Sequence, residues 1–161
     1  MKKIKIGGII EHTELSLISI ENIPDRPGIA ALTFQALSYR GINVEFIMHC
    51  LNQKGKSQVI LCISHSKSDE ALAVLDDLKP RIGDPELFLN SNIAVVSIFG
   101  PHFRERPGIA GMLFSALYSK GINIMGISTS ISTCSCVIPS SELSRAVEAI
   151  GEAFEIPGGE E

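Results

Sequence analysis

Apolar and polar residues follow two different periods along the chain, and the order of these periods predicts a mixed fold of helices and strands. Leu15–Glu21 alternates with the two-residue period of a strand. Val44–Leu51 and Ser57–Ser64 are two further β-rich runs, and the intervening NQKGK is typical of a hairpin. Between the first and second strands, apolar residues recur at helical spacing from Ile29 to Leu37. These runs predict the order β-α-β-β.

Two more elements follow the hairpin. A helix is expected from about Asp69 to Lys79, with Ser68 as its N-cap, and Glu86–Leu89 has the composition of a short strand. The complete order is β-α-β-β-α-β. This is the split βαβ of the ferredoxin-like fold, an antiparallel four-stranded sheet with two helices on one face.

The same order begins again at Ile93. A strand over Ile93–Phe99 precedes a helix with an apolar face, and two strands follow at about Ile122–Thr129 and Ser132–Ile138. Pro139 and Ser140 begin a last amphipathic helix. The closing EIPGGEE is too short and too polar for a strand, so the second unit lacks its fourth strand.

The N-terminal segment can supply the missing strand. Lys3–Ile10 is rich in apolar residues and precedes a first unit that is already complete. We therefore expect an α+β protein of two ferredoxin-like units. The first unit covers residues 12–90, and the second combines residues 1–11 with residues 91–161.

One segment is written twice, 80 residues apart and without a gap. DRPGIAALTFQALSYRGIN begins at Asp25 and ERPGIAGMLFSALYSKGIN begins at Glu105; between residues 26–43 and 106–123, eleven of eighteen positions are identical. Each copy contains a turn, a helix and a glycine exit followed by Asn. The repeat indicates duplication of a supersecondary unit.

The repeated turn has a specific chemical capacity. Gly28 and its neighbours lie where a strand ends and a helix begins, so unpaired backbone N–H groups and the positive end of the helix dipole can bind a carboxylate. Asp25, just upstream, can pair with an ammonium group. A carboxylate site beside an acidic side chain matches a free amino acid, although most such turns are only helix caps.

Composition and charge exclude several functions. The 161 residues are 45% hydrophobic and 20% charged, with a net charge of -4, which argues against a nucleic-acid or anionic-membrane surface. No apolar run is long enough to cross a bilayer, and the N-terminus has no signal-peptide pattern. The four cysteines fall in apolar segments, which favours buried thiols in a reducing compartment. We expect a cytoplasmic protein.

Catalytic and metal chemistry have weaker support. Cys134 and Cys136 share one face of a strand, but no second ligand pair accompanies them, so buried structural thiols are the simpler interpretation. His12, His65 and His102 lie near polar turns, where solvated histidines are usual. No nucleophile stands beside a base, and no cofactor motif is present. A small hydrolase or a metal protein is the rival class, and we expect neither catalytic nor metal-binding residues.

The two copies together resemble a known family. DRPGIAALTFQALSYRGINVEFI and RERPGIAGMLFSALYSKGINIMGISTS are similar to paired ACT domains, and the order of GINVEF and GINIMGISTS resembles the tandem at the C-terminus of aspartate kinases. The resemblance covers about residues 6–156. It implies a non-enzymatic module that binds a free amino acid at interfaces between ACT units, in a homodimer. The module would be a stand-alone sensor or would transmit binding to a partner. The alternatives are a regulatory subunit of a separate aspartate kinase-like chain and the trimmed regulatory region of one kinase.

The resemblance also implies site residues. The first site would combine one unit with the opposite unit of a second copy, and its ligand-binding residues would be Asp25, Gly28, Ile29, Ala30, His49, Asn123 and Ile124. A pseudo-symmetric site would use Glu105, Gly108, Ile109, Ala110 and Asn43.

Overall fold

A computed structural model describes residues 3–101, 103 and 105–157. Within these residues the chain forms two compact units. One unit covers residues 14–92, and the other combines the residues up to 13 with those from 93 onward.

Eight strands and four α-helices lie in the described ranges. The strands are β1 Ile4–Lys5, β2 Gly8–Pro24, β3 Val44–Leu51, β4 Lys56–Ser64, β5 Glu86–Phe99, β6 Gly126–Thr129, β7 Thr133–Pro139 and β8 Phe154–Glu155. The α-helices are α1 Ile29–Tyr39, α2 Ser68–Ile82, α3 Ile109–Ser119 and α4 Leu143–Ala153, with single 3-10 turns at His65–Lys67 and Ser140–Glu142.

In the unit of residues 14–92, the strands lie in the order β3-β4-β2-β5, and β4 is antiparallel to both β2 and β3. Alternate residues of β2 and β4 point to one face, where Ile18 stands opposite Leu61. These side chains form one core cluster with Leu37 of α1 and Leu75 of α2, all fully buried. The apolar face of the strands, with its period of two, and the apolar faces of the helices, with their period of 3.6, therefore pack in a common core.

The other unit repeats this arrangement with the order β6-β7-β5-β2, and β7 is antiparallel to both β5 and β6. Val96 of β5 stands opposite Cys136 of β7, and both side chains pack in a core with Leu113 of α3 and Ile150 of α4. Each unit thus has the ferredoxin-like order, which confirms the predicted fold class.

The long strands differ from the sequence prediction. β2 and β5 run without a break through residues 11–14 and 90–92, where the polar composition predicted connections. Glu14 and Asn92 have φ values of 55° and 61° inside these strands. Such positive φ values bend a strand locally without ending it, as in a bulge, so a polar stretch does not mark the end of the strand.

Three smaller predictions were wrong at the ends of elements. Ser68 is the first residue of α2 rather than its N-cap, and its hydroxyl donates to the carbonyl of His65 at 2.8 Å. β6 begins at Gly126 rather than near residue 122. The closing EIPGGEE also begins within a strand, since its Glu155 pairs with Lys5 in the parallel pair of β8 with β1. Phe154 is 1% exposed, so the short strand is stabilised by its buried aromatic side chain.

Candidate functional site

The turn between β2 and α1 has the backbone geometry that its sequence predicts. Gly28, at the N-cap position of α1, has φ 92°, a conformation that favours glycine. Leu32 N–H donates to the Gly28 carbonyl at 2.9 Å, so the N–H groups of the preceding first turn have no intrahelical acceptor. No side chain caps them. Gly108 repeats this geometry before α3, with φ 96°.

A pocket of about 220 Å³ lies beside this turn. It is lined by five parts of the same unit: the end of β2, the turn itself, the start of α1, and strands β3 and β4. The lining residues are Ile23, Pro24, Asp25, Arg26, Pro27, Gly28, Ile29, Ala30, His49, Ser57 and Val59. The structure thus brings together five of the residues that the sequence analysis assigns to the first site.

The pocket has charged and polar groups that are free to bind. Asp25, Arg26 and His49 are exposed, and no described residue pairs with their side chains. The helix N-terminus, the guanidinium and the carboxylate therefore face one cavity with no internal partner to compete with a ligand. Such a set can hold a small zwitterion, with opposite charges at its two ends.

Asn123 and Ile124 lie in the other unit, in the segment between α3 and β6. Asn123 is exposed and Ile124 is half-buried. Neither residue lines the pocket, so the part that the resemblance assigns to them remains a prediction.

The pseudo-symmetric set is also divided between the units. Glu105 and Gly108 are exposed in the turn before α3, Ile109 is 5% exposed, and Ala110 is half-buried. Asn43 follows α1 in the unit of residues 14–92, where its side-chain amide donates to Glu45 Oε1 at 2.6 Å. Ile109 lines a second pocket together with Lys5, Ile6 and Arg106.

The first pocket is also lined by Arg26, Ser57 and Val59, which were not predicted as site residues from the sequence. Arg26 belongs to the repeated RPG motif, so the repeat itself was the available signal. Ser57 and Val59 project from β4 toward the turn, and their alternate positions in the strand reveal a shared face but not what that face meets.

The cysteines and histidines show where the sequence interpretation fails. Cys50 is exposed on β3, a strand at the edge of the sheet, so the expectation that every thiol is buried is wrong there. Burial raises the pKa of Cys62 to about 12. His65 Nδ1 lies 2.8 Å from Ser16 Oγ, so it is not merely solvated. Ser16 is fully buried and therefore inaccessible to a substrate.

The described ranges show neither a metal site nor a membrane-spanning helix. These residues contain no cluster of three or more His, Cys, Asp or Glu side chains placed to hold a metal ion. None of the helices in these ranges combines the length and the apolar character that spanning a membrane demands.

Residues 96–154 match the family model described as ACT domain. An aspartokinase of Thermus thermophilus is 36% identical over 149 residues, 91% of this chain and 36% of that protein. The Mycobacterium bovis aspartokinase is 31% identical over 97% of this chain and 38% of its own length. The chain therefore spans well under half the length of these curated relatives.

Among solved structures, the ligand-free regulatory subunit of aspartate kinase from Thermus thermophilus is similar to the chain throughout. It is 34% identical with a TM-score of 0.84, and the match covers 93% of this chain and 99% of that subunit. Both its fold and its length correspond to the two units described above. The chain belongs to the family of ACT-domain regulatory subunits and regions of aspartate kinases.

Proposed function

We propose that this chain is an amino-acid-sensing regulatory module without catalytic activity of its own. The observation that carries this proposal is the pocket beside the β2–α1 turn. An uncapped helix N-terminus, the Asp25 carboxylate and the His49 imidazole line the same cavity. These groups complement the two charged ends and the side chain of a free amino acid.

In the proposed binding mode, the ligand carboxylate accepts hydrogen bonds from backbone N–H groups of Gly28, Ile29 and Ala30. The ligand ammonium pairs with Asp25, and the ligand side chain extends toward His49. Arg26 adds a positive charge on the carboxylate side. Hydrogen bonds to a charged group contribute about 1.5–3 kcal/mol each, so in this binding mode the hydrogen bonds from the backbone N–H groups to the ligand carboxylate dominate the affinity.

We further propose that a second copy of the chain closes the site. The other wall would be Asn123 and Ile124 of that copy, in a homodimer with a two-fold axis. The pseudo-symmetric counterpart site would use Glu105, Gly108, Ile109 and Ala110 opposite Asn43. Exposure of both Asn123 and Asn43 supports this arrangement.

The proposed output is control of aspartate kinase catalysis. The Thermus regulatory subunit that matches over 99% of its length supports a separate regulatory chain acting on a catalytic chain. A solved structure of aspartokinase alpha and beta subunits, 25% identical with a TM-score of 0.83, supports the same view. The longer curated relatives support the second candidate, in which such a region is joined to the kinase in one polypeptide.

The test is a thermal-shift screen of the purified chain against the twenty amino acids, followed by calorimetry with each one that stabilises it. The N-acetyl and carboxamide derivatives of that amino acid are the matched probes. We expect both derivatives to bind more weakly, because each removes one of the two charges. The proposal is wrong if no amino acid binds, or if both derivatives bind as well as the parent.

A further inference from the structure

A second pocket, of about 350 Å³, lies in the unit that combines the residues up to 13 with those from 93 onward. Three chain segments converge on it: the end of β1 with the link to β2, the turn before α3 with the first residue of that helix, and a residue shortly after β8. The lining residues are Lys5, Ile6, Gly7, Pro101, Arg106, Ile109 and Pro157. Of these residues, only Ile109 belongs to a site that the sequence predicts.

The floor and the rim of this pocket differ in chemistry. Ile6 and Ile109 are 2% and 5% exposed and form an apolar floor. Lys5 and Arg106 are exposed at the rim. The pocket therefore presents an apolar base beneath two positive charges.

Among the described residues, the two cations have no partner. None of these residues forms a hydrogen bond or ion pair with the side chain of Lys5 or Arg106, and none of those that line the pocket is acidic. Glu155 stands opposite Lys5 in the β1–β8 register, and Glu105 precedes Arg106 in the chain, but neither carboxylate reaches the lining. The local charge of the pocket is therefore positive in a chain whose net charge is -4.

Close backbone packing defines the walls. Gly7 N–H donates to the Phe99 carbonyl at 2.6 Å, and a Cβ at Gly7 would lie 2.7 Å from the Phe99 ring. A Cβ at Gly100 would similarly lie 2.8 Å from the Phe103 ring. These glycines allow the segments to approach each other, so packing fixes the shape of the pocket at its back.

The corresponding place in the unit of residues 14–92 is occupied by the short connection between α2 and β5. There, a Cβ on Gly83 would overlap the ring of Pro24, the last residue of β2. In the other unit, no single connection joins α4 to β2, because β2 comes from the N-terminal side of the chain. The β1–β2 link and Pro157 occupy that place instead, and the pocket lies among them.

This pocket is also distinct from the proposed amino-acid site. The first pocket extends from its turn toward β3 and β4, through His49 and Ser57. The second extends from its turn toward β1 and the end of β8, through Lys5 and Pro157. The two pockets share equivalent residues at their turns, Arg26 with Arg106 and Ile29 with Ile109, but different strands and segments complete them.

We propose that the second pocket binds a small organic carboxylate with a short aliphatic body. The carboxylate pairs with Arg106 and Lys5, and the aliphatic part packs on Ile6 and Ile109. An inorganic anion would leave the floor uncovered, and a neutral aliphatic ligand would leave the two cations unpaired. A guanidinium suits a carboxylate because its N–H groups can bind both oxygens.

The test follows backbone amide resonances by NMR while the whole chain is titrated with isovalerate, isovaleramide or inorganic phosphate. We expect isovalerate to shift Gly7 and Ile109 saturably, and to bind about tenfold more tightly than either other probe. Arg106→Gln should weaken isovalerate binding by about tenfold, while Arg26→Gln, the matched change in the other unit, should leave it unchanged.

Three results would overturn this proposal. If isovaleramide bound as tightly as isovalerate, the two cations would contribute nothing to affinity. If phosphate bound as tightly as isovalerate, the apolar floor would contribute nothing. Unchanged binding to Arg106→Gln would place the ligand elsewhere. Amino-acid titration of Arg106→Gln separates this pocket from the first amino-acid pocket, since the lining of that first pocket does not contain Arg106.

Discussion

The glycine that precedes each of the helices α1 and α3 shows what a single residue contributes to the conformation of a turn. Gly28 and Gly108 have φ values of 92° and 96°, and a Cβ at either would meet nothing within 4 Å. Substitution therefore costs backbone strain without a clash. The RPG repeat predicted both turns, because the composition of a turn follows from local conformational preference.

Gly28→Ala should lower the free energy of unfolding by about 1–2 kcal/mol, because alanine is strained at positive φ. Gly28→Asn should cost less, because asparagine tolerates this region better. Urea unfolding of both variants, with Gly108→Ala as the comparison, measures the difference. Equal stability of the alanine and asparagine variants would contradict the strain argument.

The cysteines give a second prediction for individual residues. Cys50 is exposed, whereas Cys62, Cys134 and Cys136 are buried, and burial raises the pKa of the Cys62 thiol to about 12. In the native protein near neutral pH, we expect a thiol reagent to modify Cys50 rapidly and the other three only after unfolding. Cys50→Ser should abolish the rapid phase in a mass-spectrometric time course. A rapid phase that persists in this variant would contradict the assigned exposure.

At the scale of elements, the sequence predicted the helices and most strands well, and it failed where strands run on. Val44–Leu51 was predicted with its observed bounds. The continuity of β2 and β5 was missed because Glu14 and Asn92 take positive φ inside a strand, and nothing in their composition distinguishes this from a loop. The pocket lining from β4 was missed because it depends on a tertiary contact.

The N-terminal segment allows a test at this scale. Ile6, between β1 and β2, is 2% exposed and belongs to the core with Phe154, while Ile10 in β2 is 40% exposed. Ile6→Ala should lower the free energy of unfolding by about 2–4 kcal/mol, because it leaves a cavity. Ile10→Ala should cost less than about 1 kcal/mol. Chemical denaturation of the two variants provides the comparison, and similar losses would argue against a core role for the segment.

For the whole molecule, the proposed homodimer makes a prediction about shared sites. Asp25→Asn and Asn123→Ala should each weaken amino-acid binding, by an amount corresponding to about 1.5–3 kcal/mol. If each site takes Asp25 from one copy and Asn123 from the other, a mixed dimer of the two variants contains one intact site. Calorimetry of the mixture should then recover a fraction of tight sites.

Each variant alone is a control, and neither should show tight amino-acid sites by calorimetry. Sedimentation establishes that the variants form dimers. Failure to recover any tight sites in an exchanged mixture, with both single variants weakened, would mean that the site lies within one copy.

The pairing of Ile4 with Phe154 affects the order in which the two units fold during synthesis. The unit of residues 14–92 is continuous, so all of its strands are available to it once residue 92 has left the ribosome. The other unit includes residues at both ends of the described chain, and its first strand must wait until the last helix has been synthesised. Closing a loop of that length is slow compared with local folding. We therefore expect co-translational folding in two steps, with the buried Ile6 unprotected during the interval.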